Sequence, residues 1–264
     1  MKSMVSLYWK LLLAGLRSRM QYRFNFAMTS LAAAVIAAAD FLMIAVVLLR
    51  FDHVRGWDIY EVGYLYAVVS LAKTCYRTVS ADLHYIDRYL VTGDLDALMV
   101  RPVPVLFALM TANVRLLPGE LVQSTAVLAL SMGAMMESGR IDGWAIPLTL
   151  LNVAVGTVIM FAIGLATATV GFWTTKVDDL QSFTEDASKA AAQYPLTVYP
   201  DWLKGVLLTV LPVGFVSYVP ALYLLKGELG PWTFAASAAV ALAALFGALR
   251  LWRIGIRRYQ STGH

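Results

Sequence analysis

The sequence predicts an all-α, polytopic integral membrane protein with six transmembrane helices. Of the 264 residues, 59% are hydrophobic and 14% are charged, whereas soluble domains have about 45–50% apolar and about 25% charged residues. The apolar residues form long runs, and about 20 such residues cross a hydrocarbon core. Lysines and arginines cluster beside these runs, which is typical of membrane proteins with a fixed topology.

Residue types argue against several other classes of protein. The net charge is +4, but the basic residues form no continuous stripe of the kind that binds nucleic acid. The single cysteine, Cys75, has no disulfide partner and no Cys or His neighbour at metal-ligand spacing. No Ser/His/Asp arrangement of a membrane enzyme is recognisable. We therefore predict neither an enzyme nor a metal site.

The amino terminus, residues 1–23, is basic and predicts a helix that lies in the membrane interface. Within it, residues 4–16 are amphipathic, with Tyr8 and Trp9 at headgroup depth. The apolar stretch that follows is longer than the core of a signal peptide, so we expect no cleavage. A frayed extension of the first span is the alternative.

Hydropathy places the spans in order along the chain. Residues 103–136 exceed the length that a bilayer needs, so Pro118 and Gly119 are expected to separate an interfacial part from the third span. Prolines at 195, 200, 212 and 220 argue against one straight helix over residues 194–225. The predicted spans are 24–49, 59–79, 119–136, 144–173, 178–196 and 232–252, with 80–104 on the cytoplasmic side and 197–230 on the outer face.

Lysine and arginine positions predict that both termini are cytoplasmic, because cytoplasmic loops are enriched in these residues. Most basic residues then lie inside, and a few, including Arg50, Arg55, Arg140 and Lys226, lie outside. The fifth span is unusually polar, and a charge at the bilayer centre is costly. Glu185 and Lys189 are four residues apart, so we expect them to pair on one helical face.

The order of several short motifs resembles the permease subunits of type-2 ATP-binding-cassette exporters, in a poorly characterised bacterial branch. Gly56-Trp57 follows the first span, with Tyr22-Arg23 before it, and Gly93-Asp94-Leu95-Asp96 leads to Arg101-Pro102 after the second span. Residues 194–212 resemble the outer-face segment of that family, in which a short helix dips back into the membrane. The resemblance covers nearly the whole chain and implies a cytoplasmic coupling helix between spans two and three.

The sequence has no G-x-x-x-x-G-K-[ST] phosphate loop. This chain is therefore expected to hold no cofactor, and ATP is expected to bind a separate ATPase subunit that docks on segment 80–104. Gly93 permits a turn there; an ordinary solvated loop is the alternative. Asp82, His84 and Asp87 also invite a metal interpretation, but no second ligand cluster completes a site. The predicted coupling residues are Asp82, His84, Asp87, Arg88, Gly93, Asp94, Asp96, Arg101 and Pro102.

Charged and tyrosine side chains within the spans are candidates for a translocation path. Asp40 lies near the middle of the first span and needs a partner on another helix. It could line a translocation path or form a structural hydrogen bond to a neighbouring helix, and the sequence favours neither role. Gly164, Ala168 and Gly171 form a small-residue stripe suited to close helix packing. The predicted path residues are Asp40, Tyr64, Glu185, Asp186 and Lys189.

Our leading hypothesis is the membrane subunit of an ATP-driven exporter in the bacterial inner membrane. It would pair with a second copy or a related six-span permease, within membrane lipid, and export amphipathic or hydrophobic molecules such as drugs, lipid-like compounds or peptides. A secondary transporter driven by protons or sodium is the alternative, with Asp40, Glu185 and Asp186 as ion ligands. An enzyme or assembly scaffold would need a catalytic constellation that the sequence does not display.

Overall fold

A computed structural model describes residues 23–51, 53–112, 115–174 and 176–259. These residues are largely helical and include no β-strand, which confirms the predicted all-α fold. Residues 1–22, with most of the predicted interfacial helix and Tyr22, lie outside the described residues. The α-helices are α1 (Arg23–Phe51), α2 (Ile59–Val79), α3 (Ile86–Thr92), α4 (Asp94–Met99), α5 (Val105–Ala112), α6 (Pro118–Glu137), α7 (Ala145–Thr174), α8 (Asp178–Ala192), α9 (Asp201–Thr209), α10 (Tyr218–Lys226) and α11 (Trp232–Arg258).

Helix α2 is the centre of the bundle. Its residues 61–74 are buried, and α1, α6, α7 and α8 pack around it. A capping box starts the helix: Asp58 accepts hydrogen bonds from the N–H groups of Tyr60 and Glu61, and Glu61 accepts one from the N–H of Asp58. Because protein encloses α2, this helix can carry charged side chains that lipid would not tolerate.

Three helices, α1, α7 and α11, are long and apolar enough to cross a membrane. In the described part of the chain, one further segment meets the same criterion: α9 together with Val213–Lys226, a pair bent by 75°. The structure thus shows a membrane protein with three clear apolar spans, and up to four. The six predicted spans also include α2, α6 and α8, which are less apolar.

The fifth predicted span, 178–196, is shorter in the structure. Helix α8 has 15 residues, or about 22 Å at 1.5 Å per residue, against a hydrocarbon core of about 30 Å. It ends at Ala192, shortly before Pro195. The segment predicted on the outer face holds two short helices with a sharp bend, as the prolines indicated.

The loops predicted on one side of the membrane meet at one end of the bundle. Arg140 forms an ion pair with Asp58, and Nζ of Lys226 lies 2.7 Å from the carboxylate of Glu61. Burial would raise the pKa of Asp58, but the hydrogen bond from Arg140 and two from backbone N–H groups outweigh burial and lower it. These contacts agree with the prediction that Arg140 and Lys226 share a side.

Segment 80–104 lies at the opposite end and is folded as short helices. Helix α3 ends at Thr92, and Gly93, with φ of +76°, connects it to α4 in the left-handed conformation that favours glycine. The predicted turn is confirmed. The predicted break near Pro118 is also confirmed, since α5 ends at Ala112 and α6 begins at Pro118.

Candidate functional site

Helix α8 carries a buried polar face into the bundle. Its buried residues Gln181, Glu185, Ser188 and Ala192 recur at spacings of three and four, so they lie on one side of the helix. That side packs against α2 and α7. Glu185 is 1% exposed, and a carboxylate at that depth requires partners from other elements.

Partners of Glu185 come from α2 and from the beginning of segment 80–104. The hydroxyl of Tyr76 donates to Oε1 of Glu185 at 2.7 Å, and Nδ1 of His84 lies 3.0 Å from the same oxygen. Nε of Arg77 lies 3.4 Å from Oε2 of Glu185. Glu185 therefore joins α8, α2 and segment 80–104 through one carboxylate.

Gly164 on α7 makes room for this cluster. A Cβ at position 164 would lie 2.6 Å from Cζ of Tyr76, closer than real Cβ contacts allow. The carbonyl of Gly164 also accepts a hydrogen bond from Nε2 of Gln181 at 3.3 Å. At Gly164, the predicted small-residue stripe thus serves close packing between α7 and α2.

The next turns of α8 face a cavity between α1, α2, α6 and α8, which we call the charged cleft. Its volume is about 240 Å³. Nζ of Lys73 on α2 lies 2.7 Å from Asp186, and Nζ of Lys189 lies 3.1 Å from Asp40 on α1. The charged residues that line the cleft are Asp40, Lys73, Arg77, Glu120, Asp186 and Lys189.

Each cation that lines the cleft has an acidic partner, but the carboxylate of Glu120 has no cationic partner in the described segments. Lys73, Lys189 and Arg77 lie within 4 Å of Asp186, Asp40 and Glu185, respectively. Glu120, at the start of α6, accepts a hydrogen bond from Thr74 at 3.1 Å. No lysine, arginine or histidine of the described segments lies within 4 Å of Glu120.

The structure brings most of the predicted path residues together. Asp40, Asp186 and Lys189 line the charged cleft, and Glu185 lies directly behind it. The expected pair between Glu185 and Lys189 is wrong, because Lys189 reaches across to Asp40 instead. Tyr64 is fully buried elsewhere, against α7, with its hydroxyl 3.1 Å from that of Thr149.

Sequence reasoning missed three charged residues of the cleft: Lys73, Arg77 and Glu120. Lys73 and Arg77 belong to the basic residues that predict the topology, and the sequence suggested no further role for them. Their spacing of four places them on one face of α2, so charges on neighbouring predicted spans would have been the signal for a shared site. Glu120 carried no signal beyond its position beside Pro118.

The predicted coupling residues divide into a buried and an exposed group. Asp82 and His84 are 3% and 6% exposed; Asp82 accepts a hydrogen bond from Tyr89 at 2.6 Å. In the described segments no cluster of His, Cys, Asp or Glu could hold a metal ion. Asp87, Gly93 and Asp96 are half-buried, and Arg88, Asp94, Arg101 and Pro102 are exposed.

Exposed apolar side chains lie among these exposed charges. Val91 is 45% exposed, Met99 is 44% exposed and Val100 is 84% exposed. Behind them, burial and the nearby carboxylate of Asp96 raise the pKa of Tyr259, at the end of α11. Segment 80–104 is therefore anchored to the bundle on one side and presents a mixed apolar and charged surface on the other.

Long apolar helices around a charged interior define a polytopic α-helical membrane protein. Residues 34–263 match the family model described as ABC-2 family transporter protein. The chain belongs to this family and is the permease component of an ATP-binding-cassette transporter, which implies an ATPase partner. No curated protein matches the chain.

Proposed function

We propose that this chain is the membrane-spanning half of an ATP-driven exporter and that segment 80–104 couples it to a separate ATPase subunit. The proposal is supported most directly by the two sides of this segment, one exposed and the other bound to the interior of the bundle. It exposes Val91, Val100 and Arg101 at its surface, while His84 binds Glu185 in the interior. A partner that moves the surface would thus act on α8 and on the charged cleft beside it.

The proposed membrane arrangement has six crossings, formed by α1, α2, α6, α7, α8 and α11, in the bacterial inner membrane with both termini cytoplasmic. The enclosure of α2 by protein supports its crossing despite Lys73 and Arg77. The loops that contain Asp58 and Arg140 meet at the end of the bundle opposite segment 80–104. This supports an arrangement in which successive loops lie on alternate sides of the membrane. A second copy or a related permease would complete the translocation path.

ATP is proposed to bind in the partner subunit, since this chain has no phosphate loop. The substrate is proposed to be amphipathic or hydrophobic, because α1 carries a largely exposed apolar surface next to the charged cleft. An ion-coupled mechanism is less well supported. Asp40, Asp186 and Glu185, its candidate ligands, are each paired with a basic side chain.

Site-directed cross-linking tests the coupling. In a Cys75→Ser background, Arg101→Cys places a thiol on segment 80–104, and Ser138→Cys places the matched control at the exposed far end of α6. We expect Arg101→Cys to cross-link to the ATPase encoded beside this chain, and Ser138→Cys to give no such product. Labelling of Arg101→Cys by an impermeant maleimide in intact cells, or the absence of any co-purifying ATPase, would refute the proposal.

A further inference from the structure

We infer that the charged cleft binds the cationic head of an amphipathic molecule and that Glu120 is the residue that holds the positive charge. This inference rests on the proposed function, because it names the substrate class of the same path. Its basis is the distribution of charge within the cleft, the unbonded polar atoms on the cleft wall and the side on which the cleft opens.

The charges of the cleft leave a place for one more cation. Lys73 and Lys189 are matched by Asp186 and Asp40, and Arg77 is matched by Glu185. Glu120 has the hydroxyl of Thr74 and no cation of the described chain within 4 Å. An anionic ligand would have to break an existing ion pair, whereas a cationic ligand would complete the set.

Unbonded polar atoms on the cleft wall point independently to a ligand. Ser70 lines the cleft and is 8% exposed, and its hydroxyl has no partner at normal hydrogen-bond distance in the described segments. The amide nitrogen and oxygen of Gln123, also on the cleft wall, are buried and have no such partner either. The polar group beside both side chains is the hydroxyl of Tyr66, which already donates to the carbonyl of Ala37. Buried polar groups in native proteins usually have a protein, water or ligand partner. A polar head group beside Glu120 would supply those partners.

The shape of the cleft indicates that the ligand has a small head and an apolar tail. A volume of about 240 Å³ lies below the roughly 300–1,000 Å³ of sites that hold a whole drug-sized ligand. Ile36 lines the cleft and is 65% exposed, so the cleft opens sideways at α1. Leu31 and Val35 extend that apolar surface, at 59% and 60% exposure, and would receive the tail.

Two probes of opposite charge test the inference. Decylammonium, which is protonated at neutral pH, and decanesulfonate share a ten-carbon tail and differ in the charge of a small head; the ammonium head also has three N–H donors for the polar atoms of the cleft wall. We expect the full chain in lipid nanodiscs to bind radiolabelled decylammonium saturably above empty nanodiscs, and an excess of decanesulfonate to leave this binding intact. Glu120→Gln keeps the size of the side chain and should raise the Kd about tenfold, or about 1.4 kcal/mol.

Glu137→Gln is the matched control, because Glu137 lies on the same helix at its exposed far end. It should leave the Kd unchanged. If the unaltered chain shows no saturable binding, or if decanesulfonate competes equally well, the inference is overturned. This part of the test does not depend on whether a variant folds. A Glu120→Gln variant that binds as tightly as the unaltered chain overturns it as well. Cross-linking of Arg101→Cys to an ATPase is a separate readout, so failure of the binding test leaves the coupling proposal standing.

Discussion

Replacing Gly164 with alanine tests the packing that supports the Glu185 cluster. The added Cβ would lie 2.6 Å from Cζ of Tyr76 and closer still to its hydroxyl oxygen, so Tyr76 would have to move away from Glu185. Overpacking of a core costs about 1–3 kcal/mol, and a lost hydrogen bond to a charged group costs about 1.5–3 kcal/mol. We expect a destabilisation of about 2.5–6 kcal/mol, or about 5–25 °C in the unfolding midpoint.

Gly133 on α6 provides the matched control, because a Cβ there would meet nothing within 4 Å. Gly133→Ala should be neutral or stabilising by about 0.5–1 kcal/mol. The assay is thermal unfolding of the purified chain in detergent. Equal midpoints for the two alanine variants would refute the reasoning.

A second measurement assigns the effect of Gly164→Ala to Tyr76 rather than to the helix in general. Tyr76→Phe removes the hydroxyl, which is the atom nearest to the added Cβ. In that background the penalty of Gly164→Ala should shrink, because the overlap and the hydrogen bond are both reduced. An undiminished penalty would show that the contact between α7 and Tyr76 is not its source.

Two further predictions concern other parts of the molecule. Because the pKa of Asp58 is lowered in the fold, the ion pair with Arg140 should stabilise the protein at pH values above the ordinary pKa of 3.8 and lose that effect as the pH falls through the lowered pKa. Arg140→Ala should therefore destabilise by less than about 1 kcal/mol at pH 7, and by progressively less as the pH is lowered below 3.8, as measured by unfolding. Tyr64→Phe should cost about 1 kcal/mol of stability through the lost contact with Thr149 but leave decylammonium binding unchanged; weaker binding would show that Tyr64 does contribute to the path.

Much of the fold follows from properties that the sequence carries locally. Long apolar runs identify α1, α7 and α11, and the backbone preferences of Gly93 and Pro118 mark a turn and a helix start. The polar helix α8 was harder to place, because its stability depends on partners far away in the chain. Asp186 pairs with Lys73, 113 residues earlier, and no local pattern gives that pairing.

The same distinction explains the candidate site. Asp40, Asp186 and Lys189 stood out because a charge within a span is costly and needs a partner. The expected pair of Glu185 with Lys189 relied on helical spacing alone, which is worth about 0.2–0.5 kcal/mol. Glu185 instead contacts Tyr76, Arg77 and His84, and Lys189 reaches Asp40 on α1, so tertiary structure decided the pairing.

The arrangement around α8 links the two proposals. A buried cluster such as Glu185 with His84 and Arg77 is weak evidence for stability, because apolar residues of similar volume often stabilise a fold as well or better. Such a cluster does fix one geometry between its elements. His84 lies near the start of segment 80–104, and Asp186, next to Glu185 in sequence, lines the charged cleft. If an ATPase moves segment 80–104, the helix that must follow is α8, and its two ion pairs across the cleft, Asp186 with Lys73 and Lys189 with Asp40, would change with it.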